Sequence, residues 1–223
     1  SIHSGVQLIL TVLIEIGSLV NVNNSEGNAR IIAVVPAYNE RDNIVSTIED
    51  LQHNAPSVDY VIINDGSKDD TLKICQEHGY NIIDLPVNLG LSGAFQTGMR
   101  YAYECGYDFA IQFDADGQHS AAYIEEMAKV AESKGANIVI GSRFATQRKP
   151  VSARMAGSVL ISAMIFLTTH KRIQDPTSGM RLFDKTMIHL FANEIDFGPE
   201  TGSISLLMRW GYKVEETQVE MRE

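Results

Sequence analysis

Five short, mostly apolar runs, separated by stretches whose apolar residues recur at helical spacing, constrain this chain more than any other feature. The runs are Ile31–Val35, Tyr60–Ile63, Asn81–Leu85, Phe109–Phe113 and Ile138–Ile140. Between them, Ile44, Ile48 and Leu51 mark one helix, Thr71–His78 a second, and Phe95, Met99 and Ala102 the inner face of a third over Leu91–Glu104. Ile124, Met127, Ala128 and Ala131 mark a fourth. Strands this short and apolar are buried on both faces, and their alternation with helices builds a parallel sheet covered on both sides. Ser67 with Asp70 three residues later reads as a capping box opening the second helix.

The second half is less regular. Val151–Thr169 is a long apolar stretch flanked by Arg154 and by His170-Lys171-Arg172. It reads as a helix, either packed in a core or lying in a membrane interface. Asp175–Gly179 is a loop, Asp184 is placed to cap a helix through Phe191, a further helix runs over Thr201–Trp210, and Lys213–Val219 is a strand. Residues 1–29 form an N-terminal extension. Its apolar part, Val6–Val20, includes Gln7 and Glu15, is short for a bilayer span and lacks the basic start of a signal peptide.

Charge narrows the possible partners. A net charge of −10 over 223 residues argues against a nucleic-acid binder. Yet between Arg143 and Arg181 seven basic residues (Arg143, Arg148, Lys149, Arg154, Lys171, Arg172, Arg181) face one acid, Asp175, for a local net of +6. Such a window in an acidic chain points to an anion site. Cys75 and Cys105 have no metal-ligand spacing, which fits a reducing compartment.

In open α/β sheets ligands bind outside the carboxyl ends of the strands. Polar clusters sit at three of those ends: Pro36-Ala-Tyr38-Asn-Glu40, Asn64-Asp65-Gly-Ser67 and Asp114-Ala-Asp116-Gly-Gln118. Each alone could be turn chemistry; three on one sheet edge make a site. Two carboxylates one residue apart suit Mg²⁺ or Mn²⁺ that shares phosphate oxygens with a substrate.

Taken in order, these clusters, with Asn88-Leu-Gly90-Leu-Ser-Gly93, Gly141-Ser-Arg143-Phe144, Asp175-Pro-Thr-Ser-Gly179-Met-Arg181 and Gly211-Tyr-Lys-Val214, resemble family 2 of the glycosyltransferases. More narrowly they are similar to its polyprenyl-phosphate branch, of the dolichyl-phosphate mannose synthase type. The resemblance runs from about Ile31 to the end and implies a GT-A nucleotide-sugar-binding α/β fold, here a catalytic domain over residues 30–223. By resemblance, Pro36, Tyr38, Glu40, Asp65, Asn88, Gly90 and Asp114 hold the nucleotide of a UDP- or GDP-sugar. Asp116 and Gln118 bind Mg²⁺ or Mn²⁺, and Arg143, Arg154 and Ser158 hold the phosphate of a polyprenyl-phosphate acceptor. Asp114, Asp116 and Arg143 are the implied catalytic set, and His119 is a helix-start residue rather than a ligand. The implied reaction is one inverting displacement at the cytoplasmic face of a membrane.

A phosphate acceptor with its second pKa near 6 is already anionic near neutrality and needs no strong base. A sugar-hydroxyl acceptor, as in polysaccharide assembly, needs one, and Asp175 is then the candidate. Two other readings stay open. One is a haloacid-dehalogenase-type phosphatase, which shares Asp-x-Asp-Gly but carries it on its first strand. The other is a non-catalytic nucleotide-sugar sensor. Family members often continue into an Arg…Gly-x-Ser loop and membrane helices, which this sequence does not include. Two expectations stand side by side: a truncated catalytic domain, or docking on the membrane through the Val151–Thr169 helix alone or through a partner.

Overall fold

The computed structural model describes residues 29–145 and 173–220, together with Ser162 and Phe166. β1 (Ile31–Ala37), β2 (Asp59–Asn64), β3 (Ile82–Asp84) and β4 (Phe109–Gln112) alternate with α1 (Ile44–Asn54), α2 (Thr71–Glu77) and α3 (Gly90–Glu104). After a 3₁₀ turn at Ala121–Tyr123 come α4 (Ile124–Lys134), β5 (Ile138–Ser142), β6 (Arg181–Asp184), α5 (Lys185–Asn193), α6 (Thr201–Arg209) and β7 (Val214–Gln218). The strands form one sheet in the order β3-β2-β1-β4-β6-β5-β7. β1 pairs in parallel with both β2 and β4, and β5 with β7. β6 alone is reversed, lying antiparallel between β4 and β5.

Alternation along β1 shows why helices cover both faces. Ile31, Ala33, Val35 and Ala37 pack with Ile44, Ile48 and Leu51 of α1, Cys75 of α2 and Met127 and Ala131 of α4. Ile32 and Val34 face the opposite core, built on Phe95 and Met99 of α3, Phe191 of α5 and Leu207 of α6. There Phe95 meets Phe183 and Phe191 edge-on, at centroid separations of 5.4 and 5.0 Å. Asp184 caps α5 as expected, its carboxylate accepting from the Met187 N–H.

Two local expectations are corrected. β1 does not stop before Pro36 but runs to Ala37, which is possible because β4 has ended at Gln112, opposite Val34, and no ladder partner on that side needs the missing N–H. The Ser67/Asp70 capping box does not form. The Ser67 hydroxyl accepts from the Asn39 N–H instead, and Asp69 accepts from the Thr71 N–H. Arg181–Asp184, unassigned from sequence, is a strand. The N-terminal extension lies outside the described residues. So does the apolar stretch from Val151 to Thr169 apart from helical Ser162 and Phe166. Among the described residues no helix is long and apolar enough to cross a membrane.

Candidate active site

The strand order reverses direction at β1, whose neighbours are β2 and β4, so a crevice opens at their carboxyl ends. The loops leaving β1 and β2 are bonded to each other there. Asn39, at φ +59°, turns its N–H onto the Ser67 hydroxyl at 3.0 Å and its side-chain oxygen onto the Lys68 N–H at 2.8 Å. The Glu40 N–H donates to the Thr71 hydroxyl, and its carboxylate accepts from Asn43. Asp65, buried behind them, accepts from the Leu89 N–H at 2.6 Å, and Asn88 accepts from the Gly90 N–H. Gly66 (φ +66°) lets these loops meet, because a Cβ there would lie 2.8 Å from the Asn88 nitrogen. Pro36, Tyr38, Glu40, Asp65, Asn88 and Gly90 thus share one edge, with Tyr38 43% exposed. Asp65 spends one oxygen on holding the Asn88 loop.

Beside this edge lies a cavity of about 400 Å³ lined by Asp114, Asp116, Gln118, His119, Arg143 and Arg181, with Leu91, Gln112, Thr177–Gly179, Pro199 and Glu200. Asp114 follows β4 directly. One of its oxygens accepts from the Gln112 amide at 3.0 Å, and the other packs on the Cα of Gly179, where a Cβ would stand 2.2 Å away. His119 is buried; its Nδ1 accepts from the Asp114 N–H at 3.2 Å and its ring packs edge-on against Phe113. Burial lowers its pKa against the pull of Asp114 and Asp116, so the neutral ring buttresses the carboxylate. It lies two residues before the 3₁₀ turn that leads into α4.

Asp116 and Gln118 are exposed at the cavity mouth. One Asp116 oxygen accepts from the Gln118 N–H at 3.0 Å. The other oxygen and the Gln118 amide have no hydrogen bond among the described residues. Three side chains with hard oxygen donors within five residues fit Mg²⁺ or Mn²⁺. Among the described residues no group of three His, Cys, Asp or Glu closes into a metal cage. The donor set therefore suits an ion that takes its remaining ligands from a substrate.

The same cavity is also lined by two arginines. Arg143, whose side chain is 40% exposed, is held by Asp175, which is 0% exposed. Nε donates to one carboxylate oxygen at 2.8 Å and Nη2 to the other at 3.0 Å, and the Arg143 N–H adds a third bond. Burial pushes the Asp175 pKa up, but the Arg143 guanidinium overcomes it and holds the carboxyl below the usual range. Glu216 of β7 fixes the loop below, accepting from the Gln174 and Asp175 N–H groups at 2.7 and 2.8 Å, while Gln218 donates to the Arg143 carbonyl. Arg181 entered the sequence reading only as one cation of the basic window, and Gly179 and Glu216 only as parts of matching motifs, none with a role of its own. The signals that could have singled them out are the Asp175–Arg181 motif for Gly179 and Arg181, and the Glu215-Glu216 pair after Gly211-Tyr-Lys-Val214 for Glu216. Arg154 and Ser158 lie outside the described residues.

The family model described as Glycosyl transferase family 2 matches residues 32–191. A UDP-N-acetylglucosamine–dolichyl-phosphate N-acetylglucosaminyltransferase of Methanococcus voltae is 30% identical over 187 residues, 74% of this chain and 73% of that protein. An undecaprenyl-phosphate mannosyltransferase of Micrococcus luteus is 29% identical over 69% of this chain, which spans 66% of its length. Among solved structures, glucosyl-3-phosphoglycerate synthase from Mycobacterium tuberculosis, bound to Mn²⁺, UDP and phosphoglyceric acid, superposes with a TM-score of 0.65. It is 16% identical, covering 88% of this chain and 72% of that one. The mannosyltransferase PcManGT of Pyrobaculum calidifontis, bound to GDP-Man and Mn²⁺, gives 0.60 at 15% identity over 85% and 55%. At such identities the likeness shows the fold, the GT-A arrangement expected from the sequence.

Proposed function

This chain belongs to glycosyltransferase family 2, and from that premise we propose that it moves a sugar from a nucleotide-sugar donor to a polyprenyl phosphate, with inversion and with a divalent cation. One observation supports the reading most: a single cavity is lined both by hard oxygen donors and by guanidinium groups, with Asp175 already spent on Arg143. The oxygen donors suit a metal-bound diphosphate and the guanidinium groups a phosphate monoester. The names of the relatives from M. voltae and M. luteus, both transferases to a polyprenyl phosphate, point the same way.

The nucleoside would lie on the Pro36–Glu40 and Asp65 loops, with Asn88 and Gly90 beside it and Asp114 facing the nucleotide. Asp116 and Gln118 would hold Mg²⁺ or Mn²⁺. A divalent cation bound there supplies positive charge against the departing diphosphate. Arg143 would orient the acceptor phosphate, Asp175 having fixed its fork in one direction. Arg154 and Ser158 would complete that pocket. A phosphate oxygen then attacks the anomeric carbon from the face opposite the diphosphate. The new carbon–oxygen bond forms as the bond to the β-phosphate oxygen breaks, and the nucleoside diphosphate leaves with that electron pair. Asp175 is a poor base for a hydroxyl acceptor, because taking a proton would remove the charge that faces Arg143 and displace at least one of the bonds it accepts from that residue. The lipid acceptor would place the protein at the cytoplasmic face of a membrane.

The test offers labelled UDP- and GDP-sugars to the protein with and without polyprenyl phosphate. Product that partitions into organic solvent only when the lipid phosphate is present is the expected result. Product formed only with sugar-hydroxyl acceptors would replace this reading with the polysaccharide one.

A further inference from the structure

Arg181 is a guanidinium enclosed at the floor of the cavity with donors left unused. It opens β6, paired in register with Gln112 of β4 on one side and Ile140 of β5 on the other. Only 4% of its surface is exposed. Nη2 donates to the Pro176 carbonyl at 2.9 Å, and Nε has no hydrogen-bond partner among the described residues. Asp114 and Asp175 are near enough to attract it, yet neither bonds it. Burial presses its pKa down to about 10, so it remains a cation near neutral pH.

Buried charges are normally paired, because an unmade hydrogen bond from a charged donor leaves its full desolvation penalty standing. Arg143, which lines the same cavity, shows the ordinary solution: one edge of its guanidinium, Nε and Nη2, is taken by Asp175. Among the described residues Arg181 has no such partner, although it lines the same cavity. Its missing partner is therefore an acceptor that enters from the cavity and carries negative charge. We propose that Arg181 reads a phosphate of the transfer reaction, bonding an oxygen of the donor diphosphate or of the acceptor monophosphate. The inference rests on the transferase reading above and adds to it a residue that the motif roles leave out.

The test uses the full chain as wild type, Arg181→Gln and Arg181→Lys. Calorimetric titration is done with UDP and with GDP in the presence of Mn²⁺, and separately with a short isoprenyl phosphate; the ligand-free proteins are melted in parallel. Arg181→Gln is expected to weaken one arm roughly ten- to hundred-fold, with Arg181→Lys between it and wild type. The arm that weakens names the phosphate. The ligand-free melting temperature of Arg181→Gln should equal or exceed that of wild type, since an underpaired buried charge has been removed. Unchanged affinity in both arms overturns the proposal. So does a melting temperature lowered in both variants, which marks an arginine kept for structure. If Arg181→Gln does not fold, Arg181→Lys decides by the same two readings. Failure of the transferase reading looks different: wild type itself then binds neither probe.

Discussion

Both carboxylate oxygens of Asp175, a residue with no exposed surface, accept from the guanidinium of Arg143, at 2.8 and 3.0 Å. Asp175 therefore acts as the positioning partner of Arg143, and the motif segment containing it becomes a support for that guanidinium. Four expected outcomes follow from this pair and from the groups that share its cavity.

Asp175→Asn should lower stability by about 1–3 kcal/mol, less than for a fully enclosed pair because Arg143 is 40% exposed. The Asp175 pKa is depressed in the folded state, so its contribution is complete above the unfolded value near 4 and is lost as pH falls through the lower folded value. Melting curves between pH 7 and pH 3 should show the wild-type advantage shrinking only at the acid end. In turnover, the acceptor KM should rise more than kcat falls. An acceptor KM left unchanged, with kcat abolished, would return Asp175 to the role of base.

Asp116→Ala should remove Mn²⁺-dependent binding of UDP or GDP and reduce transfer by at least about 10²–10³-fold, the range seen when an electrostatic stabiliser is deleted. The fold should be unaffected, since Asp116 is exposed and among the described residues bonds only the Gln118 N–H. Titration with and without metal separates the two effects. Metal-dependent nucleotide binding that survives the substitution would remove Asp116 from the metal site.

Gly179→Ala would set a Cβ 2.2 Å from an Asp114 oxygen and 3.2 Å from the His119 ring. Overpacking of this kind costs about 1–3 kcal/mol. The carboxylate must swing away, so donor binding should weaken even though residue 179 carries no polar group. A crystal structure of the variant with Asp114 unmoved, or unchanged nucleotide affinity, would contradict this.

The rate of transfer should rise with pH through the second ionisation of the acceptor phosphate, near pH 6, and level off above it. A phosphonate acceptor ionises at higher pH, so its rise should move up correspondingly while donor binding keeps its own profile. A limb that stays fixed when the acceptor is changed would belong to the protein instead.

Much of the first half was legible because its signals are local. The alternation of Ile31–Val35 with Ile44, Ile48 and Leu51 needs no knowledge of any distant residue, and a strand ending in Asp114-Ala-Asp116 faces the same edge as one ending in Asn64-Asp65. Hydrogen bonding by short polar side chains was less legible. Ser67 and Asp70 have capping spacing, but the Asn39 N–H takes the serine and Asp69 does the capping. A loop from another strand competes for the same hydroxyl, and spacing does not encode that competition.

The Asp114, Asp116 and Gln118 cluster and the parallel half of the sheet were determined by the sequence, through hydrophobic periodicity and the rule that ligands meet strand carboxyl ends. Only the tertiary structure decided that Arg181–Asp184 enters the sheet in reverse between β4 and β5. It also decided that Asp175 closes on Arg143, and that Arg181 is left on the cavity floor with donors to spare. The reason is physical: a four-residue strand carries too short a pattern to declare its direction. Whether a buried cation is paired depends on which distant carboxylate the fold brings within hydrogen-bonding reach.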